Sequence, residues 1–155
     1  MTVTDEFRAV LICYDGSERA AHAVAVPATL FPGAHAHVLN VWEPLERMVA
    51  RYSALGPYLG EGIGEADAGI ETESASVAAT GAKLANDAGL HATPHTASLR
   101  TTVWEAVLEV AEALDVDAII TGTRSLHGMR EVLSNALSHA LLQHSMRPVL
   151  AIPKR

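Results

Sequence analysis

Five short apolar runs, separated by stretches of helical periodicity, limit this chain to one kind of architecture. They occupy residues 9–14, 34–42, 90–97, 116–121 and 148–152. The first and fourth are apolar almost throughout, as strands buried on both faces are. Strands that alternate with helices pair in parallel through right-handed crossovers. The expected fold is therefore α/β: a doubly wound five-stranded parallel sheet with helices on both faces. We assign the strand order 3-2-1-4-5, which sets strands one and four side by side where the winding reverses and opens a crevice at their carboxyl ends.

Between the runs, local signals place the helices. Asp15-Gly16-Ser17-Glu18 turns the chain out of the first strand, with Ser17 as N-cap. Ala20, Ala23, Val24, Pro27, Ala28 and Leu30 or Phe31 follow at helical spacing, and Pro27 is expected to kink the helix or loosen its last turns. Glu43-Pro44 stops the second strand. From about 45 to 69 the periodicity breaks down, and five glycines with Pro57 predict a flexible, loosely structured connection. Helical character returns over 70–88. The third strand is polar on one face and is expected at an edge. Residues 101–114 form the clearest amphipathic helix, with Val103, Ala106, Val107, Val110 and Leu114 on one face, Thr101 or Thr102 as cap, and Glu105 at capping-box spacing from Thr102. A last helical pattern covers about 132–144.

A length of 155 residues with 49% apolar content fits a single domain over 1–155, able to bury about 70% of its unfolded surface. A formal charge of −7 argues against a nucleic-acid or anionic-membrane partner held by bulk electrostatics. The lone Cys13, inside an apolar run, reads as an inert buried thiol in a reducing cytoplasm. The acidic start lacks the pattern of a signal peptide, and no apolar run approaches the roughly 18 residues of a membrane span, so a cytoplasmic protein is expected.

The candidate site lies where the fourth run meets the polar loop Gly122-Thr-Arg-Ser-Leu-His-Gly-Met-Arg130. Gly122 is expected to let the backbone turn sharply, and Thr123, Arg124, Ser125, His127 and Arg130 offer donors suited to an anion. The helix that follows would present its unpaired N–H groups to the same anion. Asp15 reads equally as a turn former and as a ligand contact. No GxxxxGK[ST], GxGxxG, SGGxDS or Gly-x-Ser-x-Gly pattern is present. His35-Ala-His37 puts two imidazoles on one strand face, which suits a metal, but no carboxylate or Cys lies close in sequence, and no metal cluster is expected.

Through Tyr14-Asp15-Gly16-Ser17, Leu39-Asn-Val-Trp-Glu43, Gly122-Thr-Arg and Arg147-Pro-Val-Leu-Ala-Ile152, nearly the whole chain resembles a single-domain universal stress protein. The resemblance implies an adenine-nucleotide-type fold with the strand order above, a homodimer joined through the last strand (148–152), and either ATP-binding or non-binding character. ATP-binding members carry G-x2-G-x9-G-(S/T). On that pattern Gly122 matches the first glycine, Ser125 stands at the second, and Asn135-Ala136 stand where Gly-Ser or Gly-Thr is expected. Side chains at Ser125 and Asn135 would crowd the phosphates, and Ala136 removes a hydroxyl. Asp15 matches the acidic residue of the first loop and Val41 the position whose backbone meets adenine. Gly128 offers another backbone approach, and Arg124, Ser125, Arg130 and Asn135 remain able to hold a short phosphate chain. The resemblance thus implies a regulatory or ligand-sensing module that takes AMP more easily than ATP, without rapid turnover. A non-nucleotide dimeric adaptor is the alternative, and a slow nucleotide hydrolase the third reading; no catalytic residue is assigned.

Overall fold

The computed structural model describes residues 7–51, 62–123 and 131–153, with the side chains of 51 and 131–136 outside that description. Its elements are β1 (Ala9–Cys13), α1 (Glu18–Leu30), β2 (His35–Trp42), α2 (Leu45–Arg51), α3 (Ile63–Asp87), β3 (His91–Ser98), α4 (Val103–Ala113), β4 (Ala118–Gly122), α5 (Glu131–His144) and β5 (Val149–Ile152). All strand pairs are parallel, in the order β3-β2-β1-β4-β5. This is the expected doubly wound sheet.

Alternation of side chains along each strand divides the core into two layers. Val10, Ile12, Ala36, Val38, Ala118 and Ile120 face α1 and α3, meeting Ala23, Val24, Ala82 and Ala85. Leu11, Leu39 and Ile119 face the other way, against Val107 and Ala111 of α4 and Leu141 of α5. Each such Leu or Ile, fully removed from water, contributes about 1.5–3 kcal/mol. That double burial is why β1 and β4 read as unbroken apolar runs.

Capping follows the local sequence. The Ser17 hydroxyl accepts from the Ala20 N–H, and Thr102 forms a complete capping box with Glu105. Helix α1 runs through Pro27 to Leu30, with Pro27 buried on the core side. In α4 the buried stripe is Ala106, Val107 and Ala111, while Val103, expected on the inner face, is 40% exposed.

The loosely structured connection expected over 45–69 is corrected at both ends. Residues 45–51 form α2, and α3 begins at Ile63, well before residue 70; residues 52–61 lie outside the described ones. Two causes outweigh the cost of about 1 kcal/mol for each helical glycine. Extending an established helix adds one hydrogen bond per residue fixed, without a new nucleus. The early turns of α3 also have a tertiary role, since Asp67 Oδ1 accepts the Leu45 N–H at 2.7 Å and so caps α2. Arg47 then ties α2 to the carbonyls of Arg100 and Thr101.

At the β3 edge the register sets His35 beside His91 and His37 beside Thr93. His37 Nδ1 lies 2.9 Å from His95 Nε2, and the His35 and His37 rings are 4.6 Å apart. Burial, then the neighbouring His35 and His95 rings, push His37 down to about 4, and burial lowers His95 as well.

Gly81 of α3 sits directly on the sheet. A Cβ there would lie 2.6 Å from Tyr14 Cδ1 and 2.8 Å from Val38 Cγ1. Gly81→Ala is predicted to destabilise the fold by about 1–3 kcal/mol despite the better helix propensity of alanine. Urea unfolding measures this; equal or higher stability would contradict the packing.

Candidate functional site

A crevice of ≈ 270 Å³ opens at the carboxyl ends of β1, β2 and β4. Cys13, Tyr14 and Asp15 line it from β1, Leu39, Asn40 and Val41 from β2, and Thr121, Gly122 and Thr123 from β4. Ser17, Arg19 and Ala20 of the first turn of α1 complete one side, with Val103 and Val107 of α4 and Leu137 of α5 opposite. It lies at the reversal of winding between β1 and β4, where open α/β sheets place their ligands.

The first loop is built as its sequence suggests. Asp15 Oδ1 accepts the Ser17 N–H at 3.0 Å, so the turn-forming role of Asp15 is observed directly. Gly16 has φ +82°, a conformation that glycine adopts without strain. Asp15 stays exposed at the crevice mouth. Burial first, then the Asp15 carboxylate, raises the Tyr14 phenol. Cys13 lines the crevice, but burial pushes its thiol up to about 12, which removes it as a nucleophile near neutral pH.

Strand β2 outruns β1 here. The Tyr14 N–H donates to the Leu39 carbonyl at 2.9 Å, the last backbone bond between the two strands. N–H and C=O of one strand residue point to the same side, so Val41, two residues past Leu39, turns both groups toward the crevice side. Asn40 pins this geometry from the opposite side chain row. Its Nδ2 donates to the Tyr14 carbonyl at 2.8 Å, and its Oδ1 accepts from the Ser74 hydroxyl, buried on α3, at 2.6 Å.

Of the expected site residues, Asp15, Val41 and Gly122 come together around this crevice. Arg124, Ser125, Gly128 and Arg130 lie outside the described residues, as does His127; Asn135 and Ala136 stand in α5 with their side chains undescribed. The turning role expected of Gly122 is corrected. It is the last residue of β4, paired with Ile152 and absent from the positive-φ glycines, and the ladder continues to the Thr123 N–H, which donates to the Ile152 carbonyl. Asn40, Ser74 and Arg19 were not marked by sequence reasoning. A polar residue inside the apolar run 38–42 was the available signal for Asn40; Ser74 and Arg19 carry none, because only packing brings them here. Among the described residues no three His, Cys, Asp or Glu side chains converge on a metal position, and no helix is long and apolar enough to cross a membrane.

Comparison with known proteins bears on this arrangement. The sequence profile of the universal stress protein family matches residues 6–153. No curated protein matches the chain in sequence. In fold, the chain is similar to a universal stress family protein from Burkholderia pseudomallei, at 18% identity and TM-score 0.71, covering 97% of this chain and 98% of that one. It is also similar to a universal stress protein from Archaeoglobus fulgidus in complex with dAMP, at 16% identity and TM-score 0.61, covering 95% and 98%. A third, a universal stress protein in complex with cAMP, aligns at 15% identity and TM-score 0.65, covering 97% and 100%.

The Asn40 pin is open to a direct test. Asn40→Ala leaves the Ser74 hydroxyl and the Tyr14 carbonyl without this partner, and is predicted to cost about 2–3 kcal/mol in chemical denaturation. An unchanged midpoint would mean that the strand ends are held by other contacts.

Proposed function

The chain belongs to the universal stress protein family, and from that premise we propose that it is a regulatory, ligand-sensing module whose crevice binds an adenine nucleotide without rapid turnover. The observation that carries this reading is the backbone of Val41, whose N–H and C=O turn toward the crevice beyond the end of β1. Adjacent donor and acceptor groups match the N1 and N6 edge of adenine. Asp15 at the mouth supplies a carboxylate for ribose hydroxyls. The dAMP and cAMP held by two proteins of similar fold support an adenine ligand.

The phosphate end of the proposed site is Gly122, Arg124, Ser125, Gly128, Arg130, Asn135 and Ala136. Ser125 and Asn135-Ala136 replace two glycines and a hydroxyl of the ATP-binding pattern, so AMP fits this end better than ATP. No catalytic residue is proposed. The 155 residues act as one domain, in the cytoplasm, and pair as a homodimer through the outer edge of β5.

Restoring the pattern tests the ligand. Changing Ser125, Asn135 and Ala136 to Gly, Gly and Ser is predicted to tighten ATP binding about tenfold or more, from a few hydrogen bonds at roughly 1 kcal/mol each, with much less gain for AMP. Calorimetry measures both. If the restored protein stays folded yet takes ATP no better than the parent, steric crowding is not what limits it, and the adaptor reading takes first place.

The dimer has its own test. The carbonyls of Pro148 and Ile152 bond toward β4, so the N–H of Ala151 points to the side of β5 away from β4. Ala151→Pro removes that outward donor while sparing the β4 ladder. Sedimentation should show a dimer for the parent and a folded monomer for the variant; a parent that is monomeric at every concentration rejects the pairing.

A further inference from the structure

The histidine group at the β2–β3 edge is separate from the crevice. His35 and His37 share one face of β2 with Leu39, and the register places His91, Thr93 and His95 on the same face of β3. Toward the middle of the sheet, α4 and α5 cover this face through Leu11, Leu39 and Ile119. At the edge the cover ends: His91 and Thr93 are exposed, and His35, His37 and His95 are half-buried. His35 is occupied, its Nε2 lying 2.8 Å from Thr93 Oγ1.

His37 and His95 are different. Their ring centroids are 5.0 Å apart, the planes are inclined at 52°, and Nδ1 of one lies 2.9 Å from Nε2 of the other. Two nitrogen ligands at 2.0–2.1 Å from a tetrahedral ion sit roughly 3.3 Å apart. The observed pair needs to open by only a few tenths of an ångström. Each ring is carried by a strand in the middle of an eight-residue ladder, so the backbone positions are fixed before any ion arrives.

We infer that His37 and His95 form a two-imidazole chelate for a divalent late transition-metal ion on the open sheet face, clamping β3 to β2. Imidazole without thiolate or carboxylate suits Zn²⁺, Ni²⁺ and Cu²⁺ over Mg²⁺ or Ca²⁺. Water completes the coordination on the exposed side. The ion takes the place of the hydrogen bond between the rings, with His37 Nε2 and His95 Nδ1 carrying the ring protons. Sequence spacing does not pair His37 with His95; the second ligand comes from a residue 58 positions away and is set by strand register. The site is independent of nucleotide binding.

The test uses untagged protein and Zn²⁺ as the probe. Calorimetry should show about one equivalent bound, and the melting temperature should rise with Zn²⁺ as binding to the native state requires. His37→Gln and His95→Gln should each weaken binding at least about tenfold, the loss of one of two protein ligands. His91→Gln, on the same strand but outside the pair, should bind as the parent does. All four proteins should give the same far-UV spectrum, since the replaced side chains lie on the surface layer. A parent that takes up no Zn²⁺, or His37→Gln and His95→Gln variants that bind it like the parent, would overturn the inference.

Discussion

Strand β1 is hydrogen-bonded to β2 on one side and β4 on the other, and it must bury both of its faces. That constraint requires a helical layer above and below, and so two cores instead of one. It also requires that the three strands meet in a fixed register. At the amino end a carboxylate does this: Asp117 Oδ2, just before β4, accepts the N–H groups of Arg8 and Ala9 at 2.7 and 2.9 Å. At the carboxyl end an amide does it, through Asn40 between the Tyr14 carbonyl and Ser74. The crevice exists because β1 stops at Cys13 while β2 runs on to Trp42.

How much of this could be read from the residues depends on how far apart the interacting partners lie. Turns and caps are local, so Ser17, the Asp15 turn and the Thr102–Glu105 box were legible, and double burial made β1 and β4 legible as continuous apolar runs. The strand order followed from the alternation of elements and the resemblance together. Helix α2 and the start of α3 were not legible, because weak periodicity, and in α3 the glycines, speak against helices that Asp67 and Arg47 hold through tertiary contacts. The site was legible in the same uneven way. Asp15 is marked by the turn at the end of its own strand and Val41 only by the family resemblance, whereas Ser74 reaches Asn40 across 34 positions and His95 reaches His37 across 58. Gly122 was marked for a turn it does not make, since the strand geometry there is open to any residue.

The two ends of the proposed nucleotide site differ in what builds them. The adenine end is made of main-chain groups of a strand whose position is fixed on one side by β3 and at its root by β1. Such donors and acceptors survive most side-chain replacement, because the ladder and not the side chain orients them. The phosphate end relies on residues being small enough for backbone N–H groups to approach, which any substitution can alter. A chain can therefore keep adenine recognition while its phosphate loop drifts, and the Ser125 and Asn135-Ala136 replacements fall on that second, more fragile half.

The sheet has two edges, and the chain treats them differently. On β3 the Leu99 N–H reaches the Trp42 carbonyl, so odd-numbered residues face β2 and even-numbered ones face outward. Two of those outward positions are blocked: Asn86 Oδ1 accepts the Ala92 N–H at 3.0 Å, and Pro94 has no N–H to offer. A proline and a side-chain cap are two of the devices by which soluble proteins close an edge to further pairing. On β5 the outward residues are Val149 and Ala151, and among the described residues no side chain caps them. An apolar outer strand without such devices among the described residues is what the proposed homodimer requires. The same rule that disfavours further pairing at Ala92 and Pro94 of β3 leaves β5 as the edge that the proposed pairing would use.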